Sequence, residues 1–199
     1  MQLVKLFPTT ISLIDASSVL EAAENFFNNS DLKTNETNLG TSLAVWRVGS
    51  VTKTTYVEDD NSKIIKDFIL ERAKEYLEYA GYDTTNVVLE VSSVWANKME
   101  SGASHPNHNH VGCLMSGCMY LEVPENGGKV KFYNPAIRFD RTLLNVKEFT
   151  EFSSDSWFIA PKRGDLLMWA SHVVHAVEAS TFEGVRRSLA FDVVITGVK

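Results

Sequence analysis

Residues 112–133 read GCLMSGCMYLEV, PENGG and KVKFY in succession. Gly112 to Val123 is a strand, Pro124 to Gly128 a turn rich in the residues that reverse a chain, and Lys129 to Tyr133 a second strand. The pattern extends in both directions. Asn86 to Ala96 lies upstream; Ser156 to Ile159, Asp165 to Trp169 and Arg186 to Ile195 lie downstream. Asn134-Pro135 and Pro161-Lys162-Arg163-Gly164 supply further turns. Short, closely spaced strands with such punctuation predict a β-sandwich or jelly roll.

The N-terminal part is more helical. Leu3 to Leu13 reads as an extended segment broken by Pro8. A helix follows to about Asn28, capped by Ser17 or Ser18, with Leu20, Ala23, Phe26 and Phe27 on one face. Asp31 to Gly40 is a polar loop, and Ser42 to Val57 has the Val, Thr, Trp and Tyr content of strands. Ser62 to Ala80 is a clear helix, with Ile65, Phe68, Ile69, Arg72, Tyr76 and Ala80 on a core stripe. Asn61 or Ser62 caps its start and Gly81 ends it. The expected class is therefore mainly β with N-terminal helices (α+β), the helices packed on one outer sheet. Residues 1–199 form a single domain, with 1–84 as N-terminal strands and supporting helices and 85–199 as the jelly-roll core.

Composition narrows the function classes. The 199 residues are 44% apolar and 22% charged, which excludes wholesale disorder and coiled coil. No apolar run approaches the ~18 residues of a membrane span, and the N-terminus lacks the features of a signal peptide. The net charge of -6 argues against a general nucleic-acid surface. Cys113 and Cys118 are too few for a disulfide scaffold and have no usual zinc spacing. They read as reduced thiols in a cytoplasmic protein. Edge strands leave a homodimer open.

All five histidines lie between His105 and His175. His108 and His110 are two apart, so on a strand both imidazoles face one side and can reach one metal ion. A third ligand comes from His172 or His175. Three protein ligands leave positions open for water or substrate, the usual plan of a catalytic metal site. The alternative is a set of loop histidines in ordinary hydrogen bonds. His175 is favoured as the third because an arginine follows it at a useful distance. On the strand from Arg186, the side chains of Arg186, Ser188, Ala190 and Asp192 share a face. A buried guanidinium needs an anion, and a carboxylate held bidentately suits it; a solvent-facing strand mouth is the competing reading. Trp95, Asn97 and Tyr120 are pocket-lining candidates, each with a packing or capping alternative. Arg138 and Arg141 lie in a long segment, Pro135 to Asp155, expected to border a substrate entrance as a lid.

In their order and spacing these pieces resemble the iron(II)- and 2-oxoglutarate-dependent oxygenases, in particular a small bacterial and phage-type group. The carrying segments are Leu6-Phe7-Pro8-Thr9-Thr10-Ile11, Trp95-Ala96-Asn97, His108-Asn109-His110, Ser116 to Leu121 and Pro124 to Gly128. Phe132 to Pro135, Gly164 to Trp169, His175 and Arg186-Arg187-Ser188 complete the set. The resemblance implies a cupin-like double-stranded β-helix with His108, His110 and His175 as iron(II) ligands. It implies Arg186 and Ser188 on the far carboxylate of 2-oxoglutarate, with Tyr120 and Asn97 as further contacts to the co-substrate. The implied activity is that of an oxidoreductase, a dioxygenase that consumes O2 and 2-oxoglutarate, hydroxylates an unidentified substrate, and releases succinate and CO2. Most of the superfamily carry His-x-Asp or His-x-Glu at the first pair. Here His110 takes that place, leaving one more positive charge on the metal, and three histidines are a zinc set as well. The competing readings are a cupin-like metalloenzyme that does not use 2-oxoglutarate and a non-catalytic jelly-roll binding module.

Overall fold

In a computed structural model describing residues 7–30, 59–136 and 145–198, the chain builds two antiparallel sheets and two helices. Strand β1 is Ile11–Asp15, followed by a 3-10 turn at Ser17–Val19 and helix α1 at Leu20–Asn29. Helix α2 is Asp60–Tyr79. The remaining strands are β2 (Val87–Met99), β3 (His105–His108), β4 (Met115–Glu122), β5 (Val130–Tyr133), β6 (Ser156–Ile159), β7 (Asp165–Ala170), β8 (His175–Val177) and β9 (Arg186–Val198). The large sheet has the order β1-β7-β4-β9-β2 and the small one β3-β8-β5-β6. The loop expected at 31–40, the strands expected at 42–57, and Arg138 and Arg141 lie outside the described residues. Among the described residues no helix is long and apolar enough to cross a membrane.

The large sheet buries both faces. One face packs Val94, Ala96, Met119, Leu166, Leu189 and Phe191 against Phe26 and Phe27 of α1 and Ile65, Ile69, Ala73 and Leu77 of α2. The opposite face contributes Tyr120, Leu167 and Trp169 to a second cluster with Val130 and Phe132 of β5 and with Val173. This second interior, between the sheets, holds the site. The helix stripe runs at every fourth residue, Ile65 to Leu77, rather than through Arg72 and Ala80. Arg72 instead pairs with Glu71 and Glu75 at the surface.

Local chemistry sets the helix ends. Asp59, not Asn61 or Ser62, is the N-cap of α2: its carboxylate accepts from the Ser62 N–H, and the Ser62 hydroxyl accepts from the Asp59 N–H. Gly81 follows the C-cap with φ of 89°, and the Tyr82 N–H returns to the Leu77 carbonyl, the closure for which glycine is suited. At α1 neither Ser17 nor Ser18 caps the helix. Ser17 is bound to Asp15, and a 3-10 turn carries the chain into the helix.

A bulge in β2 decides what faces the inter-sheet interior. Leu89 and Val91 point to the helices. The register then slips between Val91 and Ser93, so that Val94 and Ala96 take over the helix-facing role. Trp95, Asn97 and Met99 are thereby turned to the other side. Gly117 of β4 is required by close packing. A methyl group there would meet the Phe191 ring and lie 2.6 Å from the Leu167 carbonyl oxygen. Gly117→Ala is expected to destabilise by about 1–3 kcal/mol, lowering Tm by roughly 3–10 °C in a thermal melt.

Candidate active site

Three histidines converge where the small sheet meets the loop after β3. His108 of β3 and His175 of β8 are direct cross-strand partners, which brings their side chains to one place. His110 is not on the strand, as its spacing from His108 predicts; β3 ends at His108. Its position is fixed instead by its N–H, which donates to the Ser171 carbonyl at 3.1 Å. The nitrogen ligand atoms of His108, His110 and His175 all lie within 4.8 Å of one another. His172 is exposed in the turn before β8 and is not part of this cluster, whereas His175 is buried opposite His108.

Each of the three rings is held through Nδ1. That of His108 is 2.8 Å from the Pro106 carbonyl oxygen and that of His175 is 3.0 Å from the Val173 carbonyl oxygen. That of His110 is 2.7 Å from Oδ1 of Asp192. With acceptors at every Nδ1, these nitrogens carry the protons and the Nε2 lone pairs remain for an ion. Aromatic packing fixes the planes: Trp95 stacks on His110 and Trp169 meets His175 edge-on.

The rings of His108 and His175 are kept neutral. Burial, and then the neighbouring His108, pushes His175 down to about 3. His105 is pushed down to about 2, again chiefly by burial, and His108 is lowered for the same leading reason. Ligand histidines must be neutral to bind a metal, so the cause that costs solvation also prepares the site. An unfolded histidine titrates near 6.5. Between that value and about 3, the unfolded metal-free chain binds more protons than the folded one, so stability falls as pH falls. At pH 5 the loss is about 2 kcal/mol for His105 and for His175. Tm of the metal-free protein should therefore drop between pH 7.5 and pH 5, and the drop should shrink in His105→Phe. An equal drop in both proteins would contradict this.

Beyond the histidines the pocket runs between the sheets, floored by a cross-strand row. Asn97 of β2, Ser188 of β9 and Tyr120 of β4 stand side by side in register, and all three line the pocket with Arg186. Arg186 is 3% exposed. Its Nη1 donates to Sδ of Met99, its cross-strand partner, and its guanidinium lies over the Tyr120 ring. Burial raises Tyr120 well above the ordinary phenol range, so it is a protonated donor.

The buried polar atoms left without a partner are concentrated here. Of six such side-chain atoms among the described residues, four belong to pocket residues: Nε and Nη2 of Arg186, Nε2 of His110 and Nε1 of Trp169. A buried guanidinium with two idle nitrogens is costly unless an anion fills the site. The donor set fits a divalent metal at the histidines and a carboxylate at the arginine.

Three pocket features carry no local signal in the sequence that gives them a role. His105 stacks on His108 at 3.9 Å because an irregularity in β3 turns both to one side. Trp169 was readable only as a strand residue. Asp192 was readable as a neighbour of Arg186 by parity, but its contact with His110 depends on the tertiary fold.

A family model described as "Putative 2OG-Fe(II) oxygenase" matches residues 93–192, the span that carries the three histidines, Arg186, Ser188 and Asp192. No curated protein matches. Among solved structures, a 2OG-Fe(II) oxygenase family oxidoreductase from Burkholderia pseudomallei is similar at 12% identity, covering 92% of this chain and 84% of its own, with a TM-score of 0.61. A prolyl hydroxylase from Trichoplax adhaerens, in complex with a hypoxia inducible factor peptide fragment, is 12% identical over 92% of this chain and 83% of its own, TM-score 0.59. HygX from Streptomyces hygroscopicus, with nickel, 2-oxoglutarate and hygromycin B bound, is 12% identical over 94% and 84%, TM-score 0.60. At such identities these likenesses establish a shared double-stranded β-helix.

Proposed function

The chain belongs to the 2OG-Fe(II) oxygenase family, and from that premise we propose that His108, His110 and His175 hold iron(II) while Arg186 anchors 2-oxoglutarate for hydroxylation of a further substrate. The observation that carries the assignment is Arg186, buried with two idle nitrogens in the pocket that also holds the convergent histidines. The guanidinium recognises the far carboxylate as a planar fork. Ser188, two residues along β9 from Arg186, and Tyr120 on the adjoining β4 add hydroxyl donors to the same end, and Asn97 flanks them. Iron(II) and 2-oxoglutarate together supply an oxidant from O2, with succinate and CO2 as co-products. The protein's part is to hold both ends of the keto acid in one orientation and to keep water out with Trp95, Trp169 and Phe132.

A cytoplasmic setting accords with the free thiols of Cys113 and Cys118. The net charge of -6 favours a substrate other than nucleic acid.

The test is an anaerobic titration of 2-oxoglutarate into the iron(II)-loaded protein, read by the weak visible band that forms when a keto acid chelates iron(II). The band is expected, and expected to be lost in Arg186→Ala. Stoichiometric metal with no band would favour a jelly-roll metalloenzyme that dispenses with 2-oxoglutarate. Binding of neither would leave a binding module.

A further inference from the structure

We infer that Asp192 is a positioning residue of the metal centre, supplying through His110 the negative charge that a 2-His-1-carboxylate set carries on the metal itself. The inference rests on the assignment of His108, His110 and His175 as ligands. Three neutral imidazoles leave the full charge of a divalent ion uncompensated by the coordinating atoms. The nearest compensation stands one hydrogen bond away. His108 and His175 direct Nδ1 to main-chain carbonyl oxygens. His110 alone directs it to a carboxylate, at 2.7 Å.

The carboxylate is itself built in. Asp192 is 8% exposed. On β9 it stands directly opposite Ser116 of β4, whose hydroxyl donates to Oδ1 at 2.6 Å. Ser116 in turn contacts the hydroxyl of Ser171 at 2.7 Å, and the Ser171 carbonyl holds the His110 N–H. Both serines are fully buried. One closed network thus fixes His110 at its backbone and at its ring, and aims Nε2, which has no partner of its own, into the pocket. Among the described residues, His110 is the one basic side chain within ion-pair distance of the Asp192 carboxylate. A buried anion so placed needs positive charge nearby, and a metal ion behind the imidazole supplies it. The imidazole between them becomes a stronger donor, as hydrogen-bonded ligand histidines generally do.

The experiment compares the full chain with Asp192→Asn, which keeps the shape and removes the charge. Iron(II) and zinc affinities are read by competition with a coloured chelator. The expected result is metal binding weaker by about 10- to 100-fold, and a 2-oxoglutarate charge-transfer band moved to shorter wavelength because the iron is poorer in electrons. Asp192→Glu should recover part of both, and Ser116→Ala should disturb them less than Asp192→Asn. Unchanged affinity and an unmoved band in Asp192→Asn would overturn the inference. His110→Ala separates this from the ligand assignment, since unchanged metal binding there sinks the assignment itself. Should Asp192→Asn not fold, proton NMR of the zinc-loaded parent carries the test. The Nδ1 proton of His110 is expected downfield of those of His108 and His175, and a His110 proton among the carbonyl-bound pair would overturn it.

Discussion

Arg186→Ala is expected to abolish 2-oxoglutarate binding at ordinary concentrations while leaving metal binding in place. Removing one partner of a buried, hydrogen-bonded charge pair costs about 2–5 kcal/mol, roughly 30-fold to several thousand-fold in affinity. The upper part of that range applies here, because the guanidinium is almost wholly removed from water and two of its nitrogens have no protein partner. The same fact separates an anchor from a structural arginine. In the ligand-free protein the charge is poorly compensated: Nη1 has only the Met99 thioether, and the Tyr120 ring faces the guanidinium. Alanine forfeits those contacts but relieves an unpaired buried cation. Tm of the ligand-free variant should therefore lie near that of the parent, while 2-oxoglutarate should no longer raise it. Arg186→Lys keeps the charge without the fork and should fall between the two. The measurement is calorimetric titration of 2-oxoglutarate into each metal-loaded protein. A normal dissociation constant in Arg186→Ala, or a variant that no longer folds, would remove Arg186 from the role of anchor.

How much of this could be read from the chain depends on the range of the interactions. Strands β4, β5, β6 and β7 were legible because each is a short run of β-forming residues between turn residues. The face shared by Arg186, Ser188, Ala190 and Asp192 was legible because β9 pairs with β2 without slipping between Arg186 and Asp192. Strands β3 and β8 were not. His105–His108 contains a proline and three polar residues, His175–Val177 is three residues long, and β3 exists because β8 pairs with it while β8 is held between β3 and β5. The cap of α2 was missed by two or three residues, since Asp59, Asn61 and Ser62 are all good capping types and only the hydrogen bonds distinguish them. The bulge at β2 has no local signature, yet it places Trp95, Asn97 and Met99 in the pocket. His110 illustrates the same limit. Its spacing from His108 suggests a strand pair, whereas the ring is brought round by a backbone hydrogen bond to Ser171, more than fifty residues away. Parity along a strand is a local property, and contacts such as Asp192 with His110 are not.

The second large effect is expected at His175. Of the three convergent histidines it is the most deeply buried, at 6% exposure, directly opposite His108 across the β3–β8 pair. On the proposed assignment, His175→Ala removes one of three protein ligands, leaving two imidazoles to hold an ion otherwise coordinated by water and co-substrate. The loss of metal affinity should exceed the about 10- to 100-fold typical of disturbing a partner behind a ligand. The visible band with 2-oxoglutarate should disappear with the metal, although Arg186 is untouched. The metal-free fold should respond differently. His175 is an imidazole kept neutral by burial, so its removal takes away one source of acid sensitivity while leaving a cavity beside Trp169 and Phe132. At neutral pH the variant should be less stable than the parent. The gap between the two metal-free proteins should narrow as pH falls from about 6.5 towards 5, because only the parent then carries the cost of keeping His175 uncharged. Metal content of the purified proteins and melts at pH 7.5 and pH 5 make the comparison. Parent-like metal binding in His175→Ala would assign the third ligand elsewhere, whereas loss of metal together with the narrowing gap would tie both effects to the one ring.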